Sequence, residues 1–211
     1  MDTAMSEFDP NRIEVLSASE AVRRRPGMYM DPELPGLASV LAMQSLCHAV
    51  DEAMDARCTS IRMQVDGERV GVHYDCGMPL HVDHEYPGRT VAETFLRILG
   101  ACSSRKKHIE IGSQFCQIGL GVLNPMCVEM EVEIVDEGHW TRLRFERGVQ
   151  QWPCVVQPTD RPDGTWMEFS LDTSVIADPV LREETLRAAF ADLQLHLPQL
   201  ALSLEFNGLT P

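Results

Sequence analysis

Three polar side chains recur at helical spacing in the first third of the chain. Gln44, His48 and Glu52 stand at positions i, i+4 and i+8 of the segment LASVLAMQSLCHAVDEAMDARC, so they would form one polar stripe along a helix. Amide and imidazole groups can donate and accept hydrogen bonds, and imidazole also titrates near neutral pH. The stripe therefore indicates either a binding or catalytic face, or an ordinary solvated face of the helix.

Cysteine and histidine side chains are the other candidates for chemistry. His81, Asp83 and His84 carry groups that could bind a metal, but they fall in a predicted loop, and we expect no metal there. Cys116 is interpreted as an inert buried thiol, with a nucleophile near His48 as the alternative. The seven cysteines are an odd number without a CxxC pair, which argues against a disulfide framework and a structural zinc site.

Periodicity and turn residues predict helices first and β-hairpins afterwards. Ser17 and Glu20 form a capping-box start for a short helix that must end at Pro26-Gly27. Asp66-Gly67 and Glu137-Gly138 each separate two β-rich runs, as is typical of hairpins. Helices followed by hairpins predict an α+β fold, a two-layer sandwich with a mixed, mainly antiparallel sheet covered on one face by helices. Further predicted elements are a long helix opened by Gly36, helices over VAETFLRILG and IGLGVLNPM, a strand over GTWMEFSLD, a helix from Asp178-Pro179 to about His196, and a strand over LSLEFNG.

Composition limits the classes of partner. The net charge is −14, and the dense basic runs, residues 23–25 and 105–107, are interpreted as solvated surface, so we expect no direct binding of nucleic acid. The chain is 44% hydrophobic, yet no stretch reaches about 18 apolar residues, and the polar start lacks a secretion signal. We therefore expect a cytoplasmic protein without a membrane span, with residues 1–12 as an N-terminal arm and 13–211 as a single domain.

Four motifs together resemble one family of ATP-binding domains. IEVLSASEAVRRRPGMYM resembles the family's opening helix and RPGMYIG, and HAVDEAMDARC resembles its NAIDEALAG helix. Tyr74–Pro79 resembles the DDGRGIP box, and Asp163-Gly164-Thr165 resembles the Gly-Thr that completes the adenine pocket. The family is that of the GHKL (Bergerat-fold) ATPases, and within it the N-terminal ATPase domains of the gyrase B and topoisomerase IV B proteins. The resemblance covers nearly the whole chain and implies the GHKL fold, with no transducer or toprim domain.

The family's catalytic positions carry altered residues. Its general base falls on Gln44, and an amide has no usable proton affinity near pH 7. Its magnesium ligand falls on His48, although imidazole suits zinc or copper better than Mg²⁺. The resemblance therefore implies that Mg²⁺ is not bound and that ATP is not hydrolysed in the ordinary way.

The base-binding half of the family's pocket is better kept. Asp75 supplies the carboxylate that would bind adenine, and Gly77, Met78 and Thr165 keep the rest of that pocket. The Arg-Gly of the box is deleted, so Glu52 is expected to lack its usual arginine partner. Such a pocket would take an adenine nucleotide through its base, or another flat small ligand.

The phosphate half of the pocket is lost from the sequence. SQFCQIG stands in the place of the family's GGLHGVG lid, and only Gly119 is kept. Gln114 and Gln117 put side chains where a triphosphate needs bare backbone. Phe8 replaces the tyrosine of the family's N-terminal arm, through which dimerisation remains an expectation.

Three functions follow as alternatives. The first is a degenerate domain that has lost ATP hydrolysis and acts by binding a small ligand or a partner protein, for example as a decoy or modulator of a topoisomerase. The second is an enzyme whose pocket, with Gln44, His48 and Asp75 and with Cys116 as a further candidate, acts on a small molecule unrelated to ATP, for example in a biosynthetic pathway. The third is a residual ATPase in which His48 serves as the base.

Overall fold

The computed structural model describes residues 15–100, 107–111 and 119–207. Within them the chain forms an eight-stranded sheet with the order β5-β4-β3-β7-β2-β1-β8, and β6 also pairs with β4. Neighbouring strands are antiparallel, apart from the parallel pair β1 and β8. The strands are β1 Ser60–Asp66, β2 Arg69–Tyr74, β3 Cys127–Asp136, β4 His139–Glu146, β5 Val149–Gln150, β6 Gln157–Pro158, β7 Gly164–Leu171 and β8 Ala201–Asn207.

The turn residues produce the two predicted hairpins. Asp66 pairs with Arg69 across the first turn, and Asp136 pairs with His139 across the second. In the second turn Glu137 and Gly138 both have positive φ, 47° and 75°, which is the two-residue geometry that matches the twist of antiparallel strands. Both hairpins are confirmed.

Helices cover one face of the sheet, and the other face is open to solvent. Buried and exposed residues alternate along β1, so one side packs on the helices and the other carries polar side chains. Capping boxes at Ser17/Glu20 and at Thr90/Glu93 begin two of the helices. The predicted α+β fold is confirmed. The α-helices are α1 Ala18–Arg24, α2 Leu37–Gln44, α3 Cys47–Met54, α4 Val91–Arg97, α5 Leu120–Leu123 and α6 Glu183–His196, with 3₁₀ turns at Pro26–Met28, Lys107–Glu110 and Asn124–Met126.

The predicted long helix is two helices, α2 and α3, and this expectation was wrong. The N–H groups of Ser45 and Leu46 donate to carbonyls three residues back, and the Ser45 hydroxyl donates to the Ala42 carbonyl at 2.5 Å. Such local side-chain bonds compete with regular helical bonding. Gln44 and His48 therefore lie on different helices, Gln44 at the end of α2 and His48 near the start of α3.

The last helix also begins later than predicted, at Glu183 rather than after Asp178-Pro179. Asp178 is engaged elsewhere, since its carboxylate accepts hydrogen bonds from the Arg182 guanidinium at 2.6 Å and from the Gly36 N–H at 3.4 Å. Asp178 thereby ties the start of α2 to the start of α6. Among the described residues, no helix is long and apolar enough to cross a bilayer.

Candidate functional site

A cavity of about 640 Å³ opens between the end of α3, the end of β2 and the turn between β3 and β4. Its walls come from segments far apart in sequence. The 3₁₀ turn at Lys107–Glu110 forms one side of it, held on α3 by hydrogen bonds from the His108 backbone N–H and ring Nδ1 to Asp51. The lining residues are Asp51, Glu52, Asp55, Arg57, Asp75, Cys76, Gly77, Pro79, His81, Lys107, Asp136, Glu137 and Asp163.

Negative charge dominates this cavity. Among the residues that the structure describes, seven of those lining the cavity are aspartate or glutamate, against one arginine and one lysine. Both cations are already paired, because Arg57 contacts Glu52 at 2.5 Å and Asp55 at 3.0 Å, and Lys107 contacts Asp55. The described part of the wall therefore carries a net negative charge, although the carboxylates of Asp51, Asp75 and Asp163 also accept hydrogen bonds from within the protein. It also corrects the expectation for Glu52, which does have an arginine partner, supplied by Arg57 from the loop after α3.

Asp75 lies in the wall of the cavity, but its carboxylate also has a structural role. Oδ1 accepts hydrogen bonds from the backbone N–H of Thr59 at 2.8 Å and of Ser60 at 3.0 Å, and Oδ2 accepts one from the Thr59 hydroxyl. Burial would raise the pKa of Asp75, but these hydrogen bonds outweigh it and hold the pKa at about 2. The ionised carboxylate thus fixes the start of β1.

Gln44 and His48 lie beneath the cavity rather than in its wall. Gln44 is fully buried, its amide donates to the Val40 carbonyl at 3.1 Å, and its Oε1 lies 3.5 Å from the Cys47 thiol. The His48 ring lies 5.8 Å from that of Tyr74 and 5.6 Å from that of Phe95. Both side chains are therefore packed in the interior.

The other predicted base-binding residues divide between wall and interior. Gly77 lines the cavity, whereas Met78 and Thr165 are fully buried. The Thr165 hydroxyl donates to the Cys76 carbonyl at 2.9 Å, and Thr165 pairs across the strands with Tyr74, whose ring is also fully buried. The structure thus brings Glu52, Asp75 and Gly77 together in one cavity and leaves Met78 and Thr165 behind its wall.

The thiol at the cavity wall is not poised as a nucleophile. Contact with the Cys58 thiol, together with burial, raises the pKa of Cys76, so it stays protonated at neutral pH. Gly119 has φ +64° and is the N-cap residue directly before α5, and it is not among the described residues that line the cavity. Cys116, Gln114 and Gln117, as well as Phe8 in the arm, lie outside the described residues.

The sequence did not single out the acidic wall, whose members come from four separate segments. Asp136 and Glu137 precede the turn glycine of the second hairpin, and Asp163 precedes Gly164 at the start of β7. The clustering of acids before turn glycines was the available signal. Acidic residues are also typical of turns without a ligand. Asp163 stabilises the turn between β3 and β4, because its carboxylate accepts a hydrogen bond from the Glu137 N–H at 3.0 Å.

Asp136 is expected to reduce stability at neutral pH. Burial, and then the neighbouring Glu137 and Asp163, raise the pKa of its carboxyl above the ordinary value. A raised folded-state pKa means that the ionised form is disfavoured by folding, and that the cost disappears as the pH falls through that pKa. Asp136→Asn should therefore stabilise the protein at pH 7 by up to about 1 kcal/mol after allowance for screening by water.

Denaturant unfolding at several pH values tests this expectation. The gain should be present at pH 7 and vanish below about pH 4, where the carboxyl is neutral in both states. Glu68→Gln, in the exposed turn between β1 and β2, is the matched control and should change little at either pH. A gain that persists unchanged at pH 3 would contradict the electrostatic explanation.

Comparison with known proteins identifies relatives over most of the chain. The DNA gyrase B protein of Micrococcus luteus is 31% identical over 193 residues, covering 89% of this chain and 26% of the relative. The gyrase B protein of Thermotoga maritima is 27% identical over 209 residues, covering 97% and 33%, and that of Synechocystis is 28% identical over 184 residues, covering 85% and 17%. The chain thus spans about a sixth to a third of the length of these relatives. No family model matches it.

A solved structure shares the fold. The topoisomerase IV ATP-binding domain of Francisella tularensis, in complex with a small-molecule inhibitor, aligns with a TM-score of 0.73 at 21% sequence identity. The alignment covers 92% of each chain.

Proposed function

We propose, from the premise that this chain is homologous to the ATP-binding domain of the gyrase B and topoisomerase IV B proteins, that it has lost ATP hydrolysis and acts by binding. Its ligand would be a small molecule that is neutral or cationic rather than a polyanion. The observation that carries this proposal is the charge of the described part of the cavity wall, where seven acidic residues stand against Arg57 and Lys107, both already paired.

A nucleoside triphosphate would meet this wall at close range. Two like charges 4 Å apart repel by about 4 kcal/mol at the effective dielectric of a protein surface. Neither Arg57 nor Lys107 could turn to a phosphate without leaving Glu52 or Asp55 unpaired. Phosphate binding would therefore require that the ion pairs of Arg57 and Lys107 with Glu52 and Asp55 be broken.

The interior residues support loss of hydrolysis as well. The Gln44 side chain is fully buried and bonded within its own helix and to the start of the next, and an amide cannot act as a base near neutral pH. His48 sits between two aromatic rings with its Nε2 3.9 Å from Glu52, a carboxylate that is shared with Arg57. A ring held in this way is a poor ligand for Mg²⁺, which binds oxygen.

Titration calorimetry with ligands that differ in charge tests the proposal. ATP with Mg²⁺ should bind no more tightly than adenosine, and raising the salt concentration should not weaken its binding, because no phosphate contact is made. No Mg²⁺-dependent phosphate release should exceed a protein-free blank. ATP–Mg²⁺ binding that is at least about 100-fold tighter, about 2.7 kcal/mol, would show an intact phosphate site and overturn the proposal.

Binding to a topoisomerase is the second candidate, and the whole-chain likeness to gyrase B and topoisomerase IV domains favours it. Ligand binding and topoisomerase binding can be distinguished by substituting a residue of the cavity wall that does not stabilise the fold. Asp75 and His48 are unsuitable, because one fixes β1 and the other is core. His81→Ala, at an exposed position in the wall, should impair a ligand-binding protein and leave a partner-binding one active in a topoisomerase supercoiling assay.

A further inference from the structure

The strand β8 ends the sheet with an edge that no described strand covers. Its Ala201 N–H donates to Thr59 at 2.9 Å, and its Asn207 carbonyl accepts from Gly67 at 3.4 Å, so odd-numbered residues turn their main-chain groups toward β1. Even-numbered residues of the strand then turn theirs outward. Leu202, Leu204 and Phe206 therefore present three N–H and three C=O groups along the open edge.

Side chains on this edge do nothing to block another strand. Natural proteins usually protect an open edge with proline, lysine, a bulge or an inward-pointing charge, and residues 201–207, ALSLEFN, contain no proline or lysine and pair with β1 without a bulge. On the helix-covered side Leu202, Leu204 and Phe206 pack against the core, yet each stays partly exposed. The exposed apolar area and the main-chain groups that no described strand pairs lie on the same strand.

We infer that β8 is a dimerisation strand, which pairs antiparallel with β8 of a second copy of this chain about a two-fold axis at Leu204. In this register Leu204 lies opposite Leu204 of the second copy, and Leu202 lies opposite Phe206. The main-chain groups of all three residues point away from β1, and in this register they lie opposite main-chain groups of the second copy that do the same. The two strands can therefore exchange N–H···O=C hydrogen bonds in pairs. The apolar side chains of the two copies also cover one another on the helix side.

Charge and length select this register over its neighbours. A shift of two residues toward the end of β8 would place Glu205 opposite Glu205, and like charges directly opposite destabilise a strand pair. A shift the other way pairs only residues 201–205 and leaves Phe206 uncovered. In the register centred on Leu204 all of β8 overlaps, and Glu205 faces Ser203. A shift of one residue would place even-numbered residues opposite odd-numbered ones. The main-chain N–H and C=O groups of the odd-numbered residues are already bonded to β1, so no hydrogen-bonded pairs could form.

Net charge sets the conditions under which the dimer forms. Each copy carries a formal charge of −14, so association brings two strongly negative molecules together. Salt screens that repulsion, whereas the main-chain and apolar contacts of the seam are little affected by it. The dimer should therefore tighten as ionic strength rises, which is opposite to the behaviour of an interface built on ion pairs.

Disulfide trapping in the full chain tests the register. In a hydrogen-bonded antiparallel pair the Cα atoms lie about 5.5 Å apart, within the range that a disulfide spans, so Leu204→Cys should link two copies through its own position under mild oxidation. Ser203→Cys is the control, because the two Ser203 positions would be staggered by roughly 8 Å, too far to bridge. Ser203 is more exposed than Leu204, so random collision would favour the control.

The expected result is a covalent dimer from Leu204→Cys and at most a trace from Ser203→Cys. Sedimentation should show a dimer of the unmodified chain at tens of micromolar that strengthens with salt. Leu204→Arg should be monomeric while its circular dichroism stays that of the parent. Equal cross-linking of both cysteine variants, a monomer at every concentration, or open-ended oligomers would each overturn the inference.

Discussion

Gly77→Ala is expected to lower the free energy of unfolding by about 3 kcal/mol, at the upper end of what overpacking costs. A Cβ on Gly77 would lie 2.3 Å from the Val135 carbonyl oxygen and 2.6 Å from Asp136 Cβ. The obstacle is backbone of β3, which is held by β4 on one side and β7 on the other, so it cannot give way cheaply. Denaturant unfolding followed by circular dichroism measures the loss.

The matched control is Gly27→Ala. A Cβ on Gly27 meets nothing within 4 Å, and its φ lies outside the left-handed region. Alanine there restricts the unfolded chain without strain, so stability should stay unchanged or rise by about 0.4–1 kcal/mol. If Gly77→Ala and Gly27→Ala lost the same stability, the close approach of the Tyr74–Pro79 segment to β3 would not explain why position 77 holds glycine.

Arg23→Ala is expected to cost about 2–4 kcal/mol. The Arg23 guanidinium donates to the Pro125 carbonyl and to the Asp172 carboxylate, both at 2.9 Å, and thereby ties α1 to the end of β7. Asp172 is almost fully buried, and removing one partner of a buried ion pair commonly costs about 3–5 kcal/mol. Arg147, at 3.0 Å, remains and moderates the loss. The melting temperature should fall by roughly 5–15 °C.

Neighbouring Arg25→Ala is the control for charge. Arg25 is exposed, so its removal should change stability by about 0.5 kcal/mol or less. The pH dependence of stability tests whether the loss comes from the ion pair with Asp172. Burial alone would raise the pKa of Asp172, but hydrogen bonds from Ser174, Arg23 and Arg147 outweigh it and hold that pKa below its ordinary range. A lowered pKa contributes stability that is present above about pH 4 and is lost as the pH falls through the folded-state pKa. The difference in the free energy of unfolding between Arg23→Ala and the parent should therefore shrink as the pH falls below about 4.

Patterns that depend on neighbours in sequence were predicted correctly. The capping box of Ser17 and Glu20 and both hairpin turns follow from local hydrogen bonding and turn geometry. The family resemblance was confirmed by relatives over most of the chain and by the shared fold. These features are encoded within a few residues of one another.

What the sequence did not predict depends on residues far apart in the chain. Gln44 and His48, predicted as a polar face, are buried in the core, because the segments that pack over them lie far away in the sequence. The acidic wall assembles only when α3, β2 and the turns before β4 and β7 meet. Ligand binding at the predicted site residues stays a prediction, which the titrations with ATP and adenosine test.

The parallel pairing of β1 with β8 also has a consequence for synthesis. Residues 60–66 emerge from the ribosome some 140 positions ahead of their partner at 201–207, so the outer edge of β1 stays uncovered meanwhile. At ordinary elongation rates of about 5–20 residues per second that interval is on the order of ten seconds. During that interval a nascent chain that has formed the β1–β2 hairpin exposes the outer edge of β1, so another extended segment can pair with it before β8 is made.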